Sequence, residues 1–326
     1  MAEWLYEAGI GENRAALIDG DTLRAVRLER PLDGLSHGTI AEARLVEPKL
    51  VELTTDGGKQ LASLQGRAPV PLGGRFLAEV GRMAMKERGR HKLARVRCAA
   101  DGAVVQKGPS LLDRISATQH PITMLSALTP SEDRLEAAGW TEMVERAQRG
   151  YWEFDGGALW IDPTPAMTMI DIDGEGEGQA LARTGCHAVI AAIEAFDIGG
   201  PIGIDFPSLA GRAQRLEVDA LVDELLALPF ERTATNGYGF MQIIRRRDRP
   251  NFIEQIRYDA VASDAALLLR RAQRTGGTGT LTLTSRASVI DWIAAHPDWT
   301  AQLQQFCGRS VQLMVDPSMK GMGHAQ

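Results

Sequence analysis

The sequence predicts a mixed α/β protein, and three stretches of the chain carry that prediction. Short strand-like runs between turn residues fill the first third. Isoleucine-rich runs alternating with amphipathic helices fill the middle, and a second helix–strand alternation follows towards the C-terminus.

From Trp4 to Arg30 short strands are punctuated by Gly11, Asp19-Gly20 and Asp21. From Gly38 to about Val105, "GTIAEARLV", "LVELTTDGG", "RFLAEVG" and "KLARVRCA" read as further short strands without long helices, the pattern of a small barrel or sandwich. Pro109 to Pro130 has little periodicity and reads as a connector. "SEDRLEAAGWTEMVERAQRG" then reads as helix, with Ser131 as its N-cap and acidic residues in the first turn.

After Gly150 the texture changes. "GALWID", "AMTMIDID" and "GPIGIDF" are apolar runs rich in isoleucine, and two of them end on an aspartate. Between them Val189, Ile190, Ile193 and Phe196 form a helical stripe that stops at Gly199-Gly200. "RAQRLEVDALVDELLALPF" reads as a second amphipathic helix and "GFMQIIRRR" as a strand. From Asp264 the order is helix "SDAALLLRRAQRT", loop "TGGTG", strand "TLTLTS", helix "SVIDWIAAH" and strand "SVQLMVD", with "SMKGMGHAQ" as a frayed tail.

The 326 residues allow about two folded units, and a hydrophobic share of 44% allows a real core. No apolar run is long enough to span a bilayer and the N-terminus lacks a signal-peptide pattern, so a cytoplasmic, non-membrane protein is expected. The three cysteines, Cys98, Cys186 and Cys307, are isolated, which supports neither a disulfide framework nor a cysteine-based zinc site. The net charge of −6 argues against a wholly basic nucleic-acid coat. Two local basic clusters remain, Lys86 to Arg97 and Arg245 to Arg249, and such runs are often only solvated faces.

The stretch "MTMIDIDGEGEG" (Met167 to Gly178) is the first candidate for chemistry. As a calcium loop it fails, because position twelve is Ala182 and the preceding residues read as strand. Strand alternation instead points Asp171 and Asp173 to one side and Ile170 and Ile172 to the other. Asp205 ends the next strand after one helix, so two parallel strands would place Asp171 and Asp205 on one sheet edge. Carboxylates converging there suit Mg²⁺, although each aspartate by itself also reads as a simple strand or helix cap. The scattered histidines, with no HExxH, GxSxG or GxGxxG, indicate no rival centre.

With these residues assembled, the chain resembles the catalytic region of the ribonuclease E/G family. "GGALWIDPTPAMTMIDIDG" (Gly156 to Gly174) is similar to the family's "GG-x-IVID-x-TEALT-x-IDINSG", and "IEAFDIGGPIGIDFPSL" (Ile193 to Leu209) to its "LRLRDLGG-x-IVIDFIDM". "NGYGFMQIIRRRDRPNF" (Asn236 to Phe252) resembles the strand that follows, and Gly38 to Gly58 resembles weakly the family's S1-type barrel. The fold so implied has N-terminal strands (1–35) packing on the nuclease core and a small S1/OB-like RNA-binding barrel (36–108). A connector and helix (109–150), an α/β nuclease domain with catalytic aspartates at strand ends (151–260) and a small C-terminal α/β domain (261–326) follow.

The resemblance implies an endoribonuclease that cuts single-stranded RNA and leaves 5′-phosphates, with Asp171 and Asp205 catalytic and binding Mg²⁺. Asp173 joins them as a third carboxylate where the family has asparagine. Arg212 and Arg215 would contact the scissile phosphate, and Lys92, Arg95, Arg97, Phe76, Asn236 and Arg245 would hold the strand. No cysteine lies between Cys186 and Cys307, so the family's zinc-linked dimer is not expected; its 5′-monophosphate sensor segment is also missing. Phe76 is the only aromatic residue of the S1-like region, which leaves little base-stacking surface there. The alternatives are a non-catalytic RNA-binding protein of the same fold and a metal-dependent hydrolase of a small phosphorylated ligand.

Overall fold

The computed structural model describes residues 1–30, 34–55, 58–126 and 133–326. The chain is a mixed α/β protein that divides into two compact units. One comprises Met1–Leu32, Leu111–Thr141 and Gln255–Gln326; the other comprises Asp33–Ser110 and Glu142–Glu254. This division cuts across the contiguous segments drawn from the sequence.

In the second unit the early strands close into a barrel, in the order Ala94–Cys98, Gly58–Leu64, Leu50–Thr55, Ile40–Glu47 and Arg75–Arg82. Closure removes the open sheet edges that would otherwise attract other strands, and the result is consistent with an OB-like barrel. Alternation fills the interior: Ala41, Ala43 and Leu45 point in, between outward Glu42 and Arg44. With Val51, Leu53, Ala62, Leu64, Ala78, Val80 and Val96 they form one core, and the many alanines suit so narrow a bore.

The same unit carries a six-stranded sheet, ordered Tyr151–Phe154, Gly157–Pro163, Thr168–Gly174, Gly200–Asp205, Phe240–Arg245 and Phe230–Arg232. Only Thr168–Gly174 and Gly200–Asp205 run parallel, joined through the helix Gly178–Ala195. Leu159, Ile161, Ile170, Ile172, Ile202, Ile204, Met241 and Ile243 are buried on one face of this sheet. The helix packs against that face at Gly185, where an added Cβ would lie 2.5 Å from Ile172.

In the first unit a four-stranded sheet is ordered Ile122–Leu125, Glu3–Ala8, Asn13–Asp19 and Thr22–Glu29. The expected connector therefore contains structure: the helix Leu111–Ser116, and a strand that pairs parallel to Glu3–Ala8. Ser131, the predicted N-cap, lies outside the described residues; the helix Arg134–Ala137 is capped by Asp133, whose carboxylate accepts from the Glu136 N–H at 3.1 Å. A second helix, Trp140–Arg149, follows it.

Near the C-terminus, helices Ala260–Gln273, Ala287–Ala294 and Pro297–Cys307 pack on a sheet ordered Val311–Val315, Leu281–Ser285 and His324–Ala325. The third helix was not anticipated from the pattern, although Pro297 in its first turn is a recognised start signal. The tail is not frayed. Thr284 and Leu283 offer a free strand edge, and His324 and Ala325 pair with it. Among the described residues no helix is long and apolar enough to cross a membrane.

Candidate functional site

The face of the six-stranded sheet opposite the isoleucines carries the candidate site. In the strand Thr168–Gly174, Thr168, Ile170 and Ile172 are buried while Asp171 and Asp173 are exposed, as strand alternation requires. The next strand buries Ile202, Gly203 and Ile204 and ends on exposed Asp205. The parallel register pairs Ile170 with Ile204 and Asp171 with Asp205, so the two carboxylates are nearest neighbours across adjacent strands. Strand spacing puts their backbones about 4.8 Å apart.

The electrostatics reflect that proximity. Partial burial pushes the Asp171 carboxyl above its ordinary value, and repulsion from Asp205 and then Asp173 pushes it the same way. No cation of the protein is among the causes of this shift. A carboxyl perturbed by burial and by like charges, at the end of a parallel strand pair, is a candidate for function.

The register carries the row further. Tyr151 pairs with Trp160, Trp160 with Asp171, Asp171 with Asp205, and Asp205 with Phe240. Five strands therefore contribute one residue each to a line across the open face. Trp160 is 52% exposed, and the Tyr151 ring backs it at 4.8 Å between centroids. Phe240 leans over Gly203, where an added Cβ would lie 2.7 Å from its ring and 2.8 and 2.9 Å from the Met169 and Met167 sulfurs. Gly203→Val is expected to force Phe240 off the sheet and to destabilise the protein by about 1–3 kcal/mol, read from denaturant melts.

Beyond Asp205 the backbone N–H of Phe206 donates to the carbonyl of Gly239 at 3.0 Å, which ties the strand end to the turn Asn236–Gly239. Asn236 holds that turn: its side-chain oxygen accepts from the Tyr238 N–H at 2.9 Å and the Phe240 N–H at 3.1 Å. The turn presents Tyr238 at 92% exposure. Its neighbourhood makes Asn236 an organiser of the turn rather than a free polar contact.

The remaining predicted residues fall in different places. Asp173 accepts from the Gly174 N–H at 3.0 Å and lines an open cleft with Tyr151, Glu153 and Glu175. Among the described residues, no group of three or more His, Cys, Asp or Glu side chains is disposed to hold a metal ion, so Asp173 does not complete a three-ligand set with Asp171 and Asp205. Arg212 and Arg215 lie in the first turns of the helix Arg212–Leu225, which begins shortly after Asp205, and they have no ion-pair partner among the described residues. Arg245 falls on the isoleucine side of its strand and donates to the Ile198 carbonyl at 3.2 Å.

Much of the basic character read from the sequence is locally compensated. Lys92 pairs with Glu87 at 2.5 Å, and Arg97 makes a two-pronged contact with Glu79 at 3.1 and 3.0 Å. In the second cluster Arg247 pairs with Glu254 at 2.5 Å and Arg249 with Asp248 at 2.9 Å. Arg95 is exposed on the barrel. Phe76 packs partly buried against the barrel core.

Tyr151, Trp160, Tyr238 and Phe240 were not singled out from the sequence. One signal was available: in "GALWID" the tryptophan falls between Leu159 and Ile161, out of phase with the buried positions. No family model matches the chain, and no curated protein matches it.

Two exposed hard oxygen donors, paired at the end of the parallel ladder, fit Mg²⁺. That ion takes one or two protein carboxylates and fills its remaining positions with water and substrate phosphate.

Proposed function

We propose that the chain is a Mg²⁺-dependent endoribonuclease that cuts single-stranded RNA and leaves 5′-phosphate ends. The observation that carries this reading is the Asp171–Asp205 register pair on the open face, with the Asp171 carboxyl raised by burial and by its neighbouring carboxylates. The resemblance of "AMTMIDIDG" and "GPIGIDF" to the two aspartate motifs of the ribonuclease E/G family supports it, and so does a closed barrel in the same unit.

Asp171 and Asp205 would hold the ion. When bound, Mg²⁺ supplies positive charge against the scissile phosphate and a more acidic water. The protein's own part is to fix the two carboxylates one strand apart and to bring Arg212 and Arg215 to the phosphate. The barrel holds the flanking strand.

The test is incubation of the purified chain with a single-stranded oligoribonucleotide, in Mg²⁺ and in EDTA, with the product ends mapped. Cleavage to 5′-phosphate ends in Mg²⁺ and none in EDTA is expected. Full cleavage in EDTA overturns the reading. The non-catalytic alternative draws on Asp173, which does not join the pair in a three-ligand group. A salt-sensitive RNA shift with no cleavage in Mg²⁺ or Mn²⁺ would establish that alternative.

A further inference from the structure

The barrel of this protein offers little for an unpaired base to stack on. Its single aromatic residue, Phe76, is turned against the barrel core. The exposed aromatic side chains of the unit, Trp160 and Tyr238, lie instead around the two carboxylates, with Phe240 half-buried beside them. Trp160, backed by Tyr151, stands on one flank of the Asp171–Asp205 pair, and Phe240 on the other. Tyr238, at 92% exposure, projects from the turn beside Phe240. A tryptophan left half exposed on an open sheet, in register with two carboxylates, is not explained by core packing.

The chemistry of the row is specific. Proteins that hold single strands without reading sequence use aromatic faces for the bases and cations for the backbone, because every base has a π-face. The row has an aromatic residue on each side of a phosphate-directed pair. The helix that follows Asp205 carries Arg212 and Arg215 without ion-pair partners among the described residues.

We propose that Trp160 and Phe240 are the base-stacking residues of this site, each taking one unpaired base on either side of a phosphodiester that lies over Asp171 and Asp205. The identity of the strand as RNA rests on the ribonuclease reading; the stacking itself does not. The bases are then gripped at the site of cleavage, and the barrel holds the flanking backbone without stacking. Base preference is weak, since stacking tolerates all four bases. Duplex RNA, whose bases are already stacked on one another, is excluded.

The test measures binding of a labelled single-stranded oligoribonucleotide by fluorescence anisotropy in Ca²⁺, a cation that oxygen ligands hold between carboxylates and phosphate, read before any cleavage is seen on a gel. Trp160→Leu and Phe240→Leu are each expected to weaken binding by about five- to a hundredfold. Their slope of log affinity against log salt should stay unchanged, because no phosphate contact is lost. Trp160→Tyr should restore most of the affinity. An oligonucleotide of the same length made of abasic sites should bind wild-type protein more weakly than the intact strand binds Trp160→Leu, because both stacks are lost. This arm needs no variant to fold.

Wild-type affinity in both leucine variants, or tight binding of the abasic strand, overturns the proposal. Parallel cleavage in Mg²⁺ separates the two readings. Cleavage with no effect of Trp160 or Phe240 on binding removes the stacking role and leaves the nuclease. Base-dependent binding without cleavage removes the nuclease and leaves the stacking face.

Discussion

Replacing Asp205 with asparagine is expected to lower RNA cleavage by at least about a hundredfold while leaving the fold as stable as wild type or more so. The same holds for Asp171→Asn. The two expectations come from one cause. Asp171 and Asp205 face each other in register, and burial together with the Asp205 and Asp173 charges raises the Asp171 carboxyl above its ordinary value. A carboxyl whose folded pKa exceeds its unfolded value subtracts from stability as pH rises from the unfolded value through the folded one. Above the folded value the penalty is fully present. Removing either carboxylate relieves it, so melts in EDTA at pH 7 should show an unchanged or higher Tm for both variants. Below about pH 4, near the unfolded value of aspartate, the penalty on Asp171 is absent and the gain should vanish. A strand cap behaves the other way: its loss lowers Tm and leaves turnover alone. That combination, in either variant, would refute a metal-binding role for the pair.

The pairing of Asp171 with Asp205 was legible because it needs only local rules. Strand alternation fixes which side each aspartate faces, and a single intervening helix makes the two strands parallel neighbours. The row around them was not legible. Trp160 meets Asp171 through the antiparallel pairing of Gly157–Pro163 with Thr168–Gly174, and the turn between them sets that register to the residue. Phe240 reaches Asp205 from much later in the chain, past a helix and the short strand Phe230–Arg232.

Charge compensation was hidden for the same reason. Arg97 meets Glu79 only once their strands are paired, and Arg247 meets Glu254 only once a helix brings the carboxylate back. Sequence shows a cluster of like charges; it does not show the partners that folding assembles around them. The tail beyond Val315 was misread by a similar route. Its small, polar composition suggests fraying, while its pairing depends on an unfilled edge of a strand some 40 residues earlier, at Leu283 and Thr284.

Glu7→Gln is expected to destabilise the first unit by about 1–3 kcal/mol, the cost of removing a buried acceptor from three arginines, of which Arg14 keeps Glu12 and Arg270 and Arg274 keep Asp133. Glu7 is 1% exposed and Arg14 is fully buried, and their side chains meet at 3.1 Å. Arg270 reaches the same carboxylate at 2.9 Å and Arg274 at 2.5 Å, both from the C-terminal end of the helix Ala260–Gln273. Arg14 also donates to the Ala266 carbonyl at 3.0 Å, which fixes the N-terminal hairpin to that helix. Burial pushes the Glu7 carboxyl up, but Arg14 and Arg270 outweigh it and hold the group below its ordinary value. The stability this contributes is present above about pH 4.3, the unfolded value of glutamate, and is lost as pH falls through the lowered folded value. The variant should therefore lie well below wild type in urea at pH 7, and the gap should narrow in acid. Glu3→Gln is the control. Glu3 pairs with Arg134 at 2.8 Å nearer the surface, and its loss should cost about 1 kcal/mol or less. Equal losses in the two variants would mean that the buried cluster around Glu7 contributes no more than a surface ion pair.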